Sequence, residues 1–146
     1  MSKIKVNLNN VNTTHTFAQK LASLLPAGTV IAMTGELGSG KTTFTQGFAK
    51  GLGVQDIVGS PTFKLISEYE GAELKLYHID CYRLENESEF MKIGGENYLD
   101  PTEGITVIEW SENIVNILPD NCVKLHFQRL KDNDDKRELT IEGLGF

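Results

Sequence analysis

A chain of 146 residues has the usual size of one domain, so we expect a single domain over residues 1–146. Lys and Arg number 14 against 20 Asp and Glu, and the net charge of −6 disfavours a stand-alone nucleic-acid-binding protein, which normally shows a basic face. Two cysteines without a Cys-x-x-Cys pattern argue against a disulfide framework. The short apolar runs argue against a signal peptide or a membrane span, and together these features predict a cytoplasmic protein.

The hydropathy pattern alternates between strand and helix periods along the chain. Phe17, Leu21, Leu24 and Leu25 are spaced as one face of a helix, which should follow the polar stretch 9–14. The predicted elements in chain order are a strand at 4–8, that helix, a buried strand at 29–34, a helix from about Lys41, strands at 63–69 and 74–80, one or two short helices within 85–99, a strand at 105–110, a short helix at 111–118, and a hairpin of strands 123–130 and 137–141.

This alternation predicts an α/β fold. The hairpins indicate a mixed rather than a purely parallel sheet. We therefore expect a three-layer sandwich of the P-loop NTPase type, in which helices flank a central mixed β-sheet.

Residues 35–42 match the phosphate-loop pattern G-x-x-x-x-G-K-[ST] at every fixed position, and a predicted strand and helix flank them as the pattern requires. Glycines let the backbone N–H groups turn inward around an anion, and the N-terminus of the following helix adds its dipole. Lys41 would neutralise the β- and γ-phosphates, Thr42 would offer a hydroxyl to Mg²⁺, and Thr43 would donate to the α-phosphate. The predicted nucleotide-binding residues of the loop are Gly35, Gly38, Ser39, Gly40, Lys41, Thr42 and Thr43.

Two carboxylates follow predicted strands, where a phosphate-loop enzyme needs an acid to organise Mg²⁺ and water. We predict that Glu109 binds the metal together with Thr42, and that Asp80 orients the attacking water or acts as base. His78 shares a strand face with Asp80 because side chains alternate along a strand. For each acid the alternative is a cap on a turn or helix at the strand end.

Other residues near the loop leave two interpretations each. Ser60–Phe63 is either a switch-like segment whose Thr62 reaches the metal or γ-phosphate, or the start of a strand. Trp110 either packs near the nucleotide or belongs to the core. Asn97–Asp100 lacks the lysine of the guanine-reading Asn-Lys-x-Asp motif, which favours ATP. Arg83 is expected to be the one arginine near the site, and its alternative is a structural role.

Four segments resemble the TsaE (YjeE) family in order and spacing over nearly the whole chain. They are the phosphate loop through Thr43, the segment Ser60–Phe63, the string His78–Leu84 and the segment Ile108–Glu112. The resemblance implies a bacterial P-loop ATPase required for N6-threonylcarbamoylation of adenosine 37 in tRNAs that read codons beginning with A.

The resemblance also implies site residues and partners. Thr42 and Glu109 would bind Mg²⁺, and Asp80 would be needed for hydrolysis. The ATP pocket would lie near the start of the first helix, around Val11 and Thr13, and Lys136 or Arg137 would close over the base. The implied partners are TsaD and TsaB, with tRNA contacted only indirectly.

The leading hypothesis is thus an ATPase with ATP/ADP and Mg²⁺ as ligands, slow alone because no arginine finger is evident in the chain and stimulated by its partners. A small-molecule or protein kinase using the same phosphate loop is the alternative. A nucleotide-dependent interaction module without hydrolysis is the third possibility.

Overall fold

The computed structural model describes residues 3–36, 38–59, 65–130 and 133–144. Within these ranges the fold has seven strands and three α-helices: β1 Lys3–Leu8, α1 Val11–Leu24, β2 Val30–Gly35, α2 Lys41–Gly51, β3 Ile66–Tyr69, β4 Lys75–Asp80, α3 Glu87–Lys92, β5 Gly104–Glu109, β6 Val123–Leu130 and β7 Asn133–Glu142. Two 3-10 helices, Gly95–Tyr98 and Ser111–Ile117, precede and follow β5.

The strands form one mixed sheet in the order β1-β7-β6-β2-β5-β4-β3. β2 runs parallel to β5 and β6, and β4 runs parallel to β5. β1 with β7, β6 with β7, and β3 with β4 pair antiparallel. The predicted mixed α/β sheet is therefore confirmed, and its central strands carry the phosphate loop and both candidate carboxylates.

Alternate residues of the central strand β2 enter two separate cores. Ile31 and Met33 pack with α1 and α2 on one face, whereas Val30 and Ala32 pack on the other face with Phe90 of α3. β2 and β5 are buried almost throughout, as expected for parallel strands covered on both sides. This arrangement is the predicted three-layer sandwich.

Helix α1 differs from its prediction in its start and its buried face. Asn10 caps the helix by accepting from the Thr13 N–H at 2.8 Å, so α1 begins at Val11, inside the stretch expected to precede it. Leu24 is 53% exposed, contrary to its predicted place on the buried face. The buried side chains of α1 are Thr14, Ala18, Leu21 and Ala22.

Smaller corrections concern strand ends. The strand predicted at 105–110 ends at Glu109, because Trp110 takes a left-handed backbone conformation with φ 59°. β7 begins at Asn133, four residues before the strand predicted at 137–141. Among the described residues, no helix is long and apolar enough to cross a membrane.

Candidate functional site

The phosphate loop leaves the sheet at the end of β2 and leads directly into α2. Gly35 has φ +137°, and a Cβ added there would lie 2.5 Å from the Phe127 carbonyl oxygen of the neighbouring strand β6. Gly40, with φ +109°, precedes α2 and has no side chain to cap the helix, whose N-terminus is the kind of backbone end that binds anions. Only glycine fits both positions, and the pattern of residues 35–42 therefore has a steric cause.

Lys41 is 4% exposed, and its ammonium group lies within the site. It donates hydrogen bonds to the carbonyl oxygens of Gly35 and, at 3.4 Å, Glu36, and stands 3.4 Å from the centre of the Trp110 ring. Burial lowers the pKa of Lys41, and the negative charges of nearby carboxylates oppose that shift. The carboxylates that oppose it are Glu112, Glu109 and Asp80.

Trp110 combines features of both interpretations left open by the sequence, since it contacts Lys41 of the phosphate loop and also packs against the core that contains Phe90. Its ring covers the Lys41 ammonium and packs at 5.0 Å against the ring of Tyr82. A cation over an indole face is stabilised by the ring quadrupole.

Thr42 and Glu109 are brought together, as predicted. Thr42 Oγ1 donates to Glu109 Oε1 at 3.2 Å, and the Glu109 side chain is buried at 3% exposure. Mg²⁺ prefers oxygen ligands in octahedral geometry at about 2.0–2.1 Å, so adjacent ligands stand about 3 Å apart. A hydroxyl and a carboxylate oxygen at this separation fit two neighbouring ligands of that ion.

Asp80 ends β4 in register with Glu109 on β5. Its Oδ1 accepts from the Tyr82 N–H at 2.9 Å, which is the turn-capping role considered as its alternative. Burial raises the pKa of Asp80 and the Glu109 charge raises it further, whereas the Tyr82 N–H, His78 and Lys41 lower it. The turn-capping role and the position beside Glu109 thus coexist at this residue.

The other loop residues occupy the expected segment. Ser39 is buried, and Thr43 lies in the first turn of α2. Leu37 and the segment Ser60–Phe63, with Thr62, lie outside the described residues.

The two predicted adenine-side residues of α1 differ in their surroundings. Thr13 lines an open cavity of about 460 Å³, whereas the Val11 side chain is 60% exposed. Phe17 lines the same cavity and packs 6.5 Å from Phe44 in the first turns of α2, so the cavity adjoins the phosphate-loop helix. The lining residues are Asn10, Asn12, Thr13, Thr16, Phe17 and Lys20.

At the C-terminal hairpin, Arg137 rather than Lys136 contacts the loop. Arg137 Nη2 donates to the Gly38 carbonyl oxygen at 3.2 Å, whereas the Lys136 side chain is exposed. Arg129 also approaches, since a Cβ added at Gly38 would lie 3.8 Å from its Nη1. The expectation that Arg83 is the one arginine near the site is therefore wrong.

Comparison with known proteins decides the family. A family model described as threonylcarbamoyl adenosine biosynthesis protein TsaE matches residues 8–139. The chain belongs to the TsaE family. The resemblance seen in the sequence is thereby confirmed.

Individual TsaE relatives match over most of their length. The chain is 40% identical to the tRNA threonylcarbamoyladenosine biosynthesis protein TsaE of Bacillus subtilis, over 99% of this chain and 89% of that protein. It is 42% identical to the protein of the same name from Treponema pallidum, over 81% and 84% respectively. The crystal structure of Bacillus subtilis YdiB superposes with a TM-score of 0.78 at 34% identity, covering 99% of this chain and 87% of that one.

Proposed function

We propose that this TsaE-family chain is an Mg²⁺-dependent ATPase that serves tRNA threonylcarbamoyladenosine biosynthesis. Membership of the family supports the role in that process. The ATPase activity is supported by one observation above all: the hydroxyl of Thr42 and the carboxylate of Glu109 meet 3.2 Å apart beside the loop that carries Lys41.

The loop and the start of α2 bind the phosphates through backbone N–H groups. Lys41, which donates to the Gly35 and Glu36 carbonyl oxygens, exchanges these acceptors for phosphate oxygens when ATP binds. The exchange is favourable because the ammonium group then faces a charged phosphate oxygen rather than a neutral carbonyl, and opposite charges attract more strongly in a buried site than in water.

Thr42 and Glu109 would hold Mg²⁺. The bound ion would supply positive charge that offsets the negative charge developing on the phosphates. Asp80, in register with Glu109 at the end of the next strand, is the residue that orients the attacking water. The described residues contain no group of three His, Cys, Asp or Glu side chains able to hold a metal. Oxygens of the bound nucleotide and water would supply the other ligands, since Mg²⁺ is usually held by one or two carboxylates together with substrate phosphates.

We further propose that the chain acts on a complex of TsaD and TsaB and turns over slowly without it. The net charge of −6 favours contact with tRNA through those proteins rather than by the chain itself. Cytoplasmic localisation is part of the same proposal.

Phosphate release by the purified chain tests the ATPase. Glu109→Gln removes the proposed ligand, and Glu103→Gln is its matched control, an exposed carboxylate just before the other end of β5. We expect Glu109→Gln to lower Mg²⁺-dependent phosphate release at least tenfold and Glu103→Gln to leave it unchanged. Equal rates in the parent and Glu109→Gln, with and without TsaB and TsaD, would contradict the proposal.

Modified tRNA measures the biological role. In a strain that lacks its TsaE protein, we expect the parent and Glu103→Gln to restore threonylcarbamoyladenosine, measured by mass spectrometry of digested tRNA. Lys41→Ala and Glu109→Gln should not restore it. Restoration by both of these variants would rule out ATP turnover as the contribution of the chain.

A further inference from the structure

A fully buried histidine stands behind Glu109, and neither the phosphate loop nor the turn at Asp80 accounts for it. His78 lies in β4 between buried apolar neighbours and has no exposed surface. Its Nε2 lies 2.5 Å from Glu109 Oε2, and both side chains are inside the protein.

Among the described residues, the hydrogen bond of the His78 ring is made to the Glu109 carboxylate. Within the described ranges, its other ring nitrogen, Nδ1, is buried and has no hydrogen-bond partner. Burying a polar ring costs free energy that an aliphatic side chain would avoid. The contact with Glu109 therefore accounts for an imidazole at this point of the strand.

The two oxygens of Glu109 have different partners. Oε2 contacts His78, and Oε1 accepts from the Thr42 hydroxyl. The terminal torsion of a glutamate is broad and has no sharp staggered minima, so the carboxylate needs an external contact to keep one orientation. His78 supplies that contact on the side opposite to Thr42.

We propose that His78 is a positioning residue that holds the Glu109 carboxylate with Oε1 turned toward Thr42, and that it thereby sets the affinity of the site for a divalent cation. The proposal rests on the assignment of Glu109 as a metal ligand. Residues that orient metal ligands typically change metal affinity by about 10–100-fold when they are substituted.

A purely structural role, joining β4 to β5, is a weaker explanation. The two strands already pair from Lys75 with Gly104 to Asp80 with Glu109 through their backbones. A side-chain contact is not needed to set this register.

Substitutions of His78 by glutamine and asparagine, which carry the same amide group on side chains of different length, test the proposal. The amide nitrogen of glutamine extends to the position of His Nε2, whereas that of asparagine is too short. Mn²⁺ affinity is measured by electron paramagnetic resonance in the presence of ADP, ADP affinity is measured separately in EDTA, and folding is checked by thermal unfolding. We expect His78→Asn and His78→Leu to weaken Mn²⁺ binding about 10–100-fold, and His78→Gln to restore most of it. ADP affinity in EDTA should match that of the parent.

His126→Leu is the control, because His126 is exposed on β6 and bonds Thr34 rather than a carboxylate. It should leave Mn²⁺ affinity unchanged. Equal Mn²⁺ affinity in folded His78→Asn and the parent would overturn the proposal, as would a His78→Gln protein as weak as His78→Asn. Glu109→Gln separates the metal-ligand role of Glu109 from the positioning role of His78. If Glu109→Gln keeps the parental Mn²⁺ affinity, the proposed function fails. If Glu109→Gln loses that affinity while His78→Asn keeps it, only the positioning role fails.

Discussion

Asp80 and Glu109 end neighbouring parallel strands, yet their carboxylates have different contacts. Asp80 accepts a backbone N–H from Tyr82, whereas Glu109 contacts only side chains in the described hydrogen bonds, His78 and Thr42. The Asp80 carboxylate is thus fixed by the backbone of its own turn. The orientation of the Glu109 carboxylate depends instead on two side chains from other parts of the chain.

The raised pKa of Asp80 links its role to pH. Its folded-state pKa lies above the ordinary value of 3.8, chiefly because of burial, so the folded protein holds this proton more tightly than the unfolded chain. The stability that this proton contributes is present below the ordinary value and is lost as pH rises through the folded-state pKa. At neutral pH the ionised Asp80 is thus a source of instability.

We therefore expect Asp80→Asn to be more stable than the parent at neutral pH, with the difference shrinking near the ordinary carboxyl value of 3.8. Asparagine can still accept from the Tyr82 N–H, so the turn is preserved. Urea unfolding at the two pH values measures the difference, and phosphate release should fall about 10²–10⁴-fold in the same variant. A variant less stable than the parent at neutral pH would contradict the assignment of burial as the main cause.

At the scale of elements, the decisive contact is the crossing of α1 and α2. Gly47 and Gly51, one turn apart on α2, face the backbone of α1, and a Cβ on Gly47 would lie 2.7 Å from His15 Cα. At Gly51 it would lie 2.7 Å from the Gln19 carbonyl oxygen. The close approach keeps the cavity beside Thr13 next to the phosphate-loop helix.

Gly47→Ala tests this crossing. Alanine favours a helix over glycine by about 1 kcal/mol. We nevertheless expect a net loss of about 1–3 kcal/mol in the free energy of unfolding, because the opposing atoms belong to backbone that cannot move aside cheaply. Urea unfolding measures the loss. Lys50→Ala, at an exposed position of the same helix, should change stability by less than about 0.5 kcal/mol, and a stabilised Gly47→Ala protein would refute the tight crossing.

The same crossing shows where sequence reasoning succeeds and where it stops. The loop and the start of α2 were predictable because their geometry depends on local glycines. On α1 the prediction was right for Leu21 and Leu25 but wrong for Leu24, and it missed the small buried residues. Large apolar residues dominate a periodicity pattern, whereas the close crossing selects small residues such as Ala18 and Ala22.

In the candidate site, too, some residues were predictable from local sequence patterns and others were not. Thr42 and Glu109 were predictable from a loop pattern and a strand end. The contact of Trp110 with Lys41 depends on a tertiary approach and on φ 59° at Trp110, which no local pattern shows. The contact of Arg137 rather than Lys136 with the loop depends on strand register, where a shift of one residue exchanges the two faces.

At the scale of the whole molecule, nucleotide binding should stabilise the fold. A ligand at about 100 times its Kd adds about 2.7 kcal/mol, which raises Tm by roughly 5–10 °C for a chain of this size. We expect ADP to produce such a shift in the parent and in Lys50→Ala, but not in Lys41→Ala, as measured by thermal unfolding with and without the nucleotide. An undiminished shift in Lys41→Ala would show that the phosphate loop does not hold the ligand.

The strand order has a consequence for the newly made chain. β2 carries residues 30–35, but its two partners, β5 and β6, are formed by residues 104–109 and 123–130, and the first strand pairs with the last. Long-range pairing of this kind is slow and waits for its partner segments. The ribosome thus synthesises the phosphate loop well before residues 104–130, and the loop gains its supporting strands only after those segments have emerged.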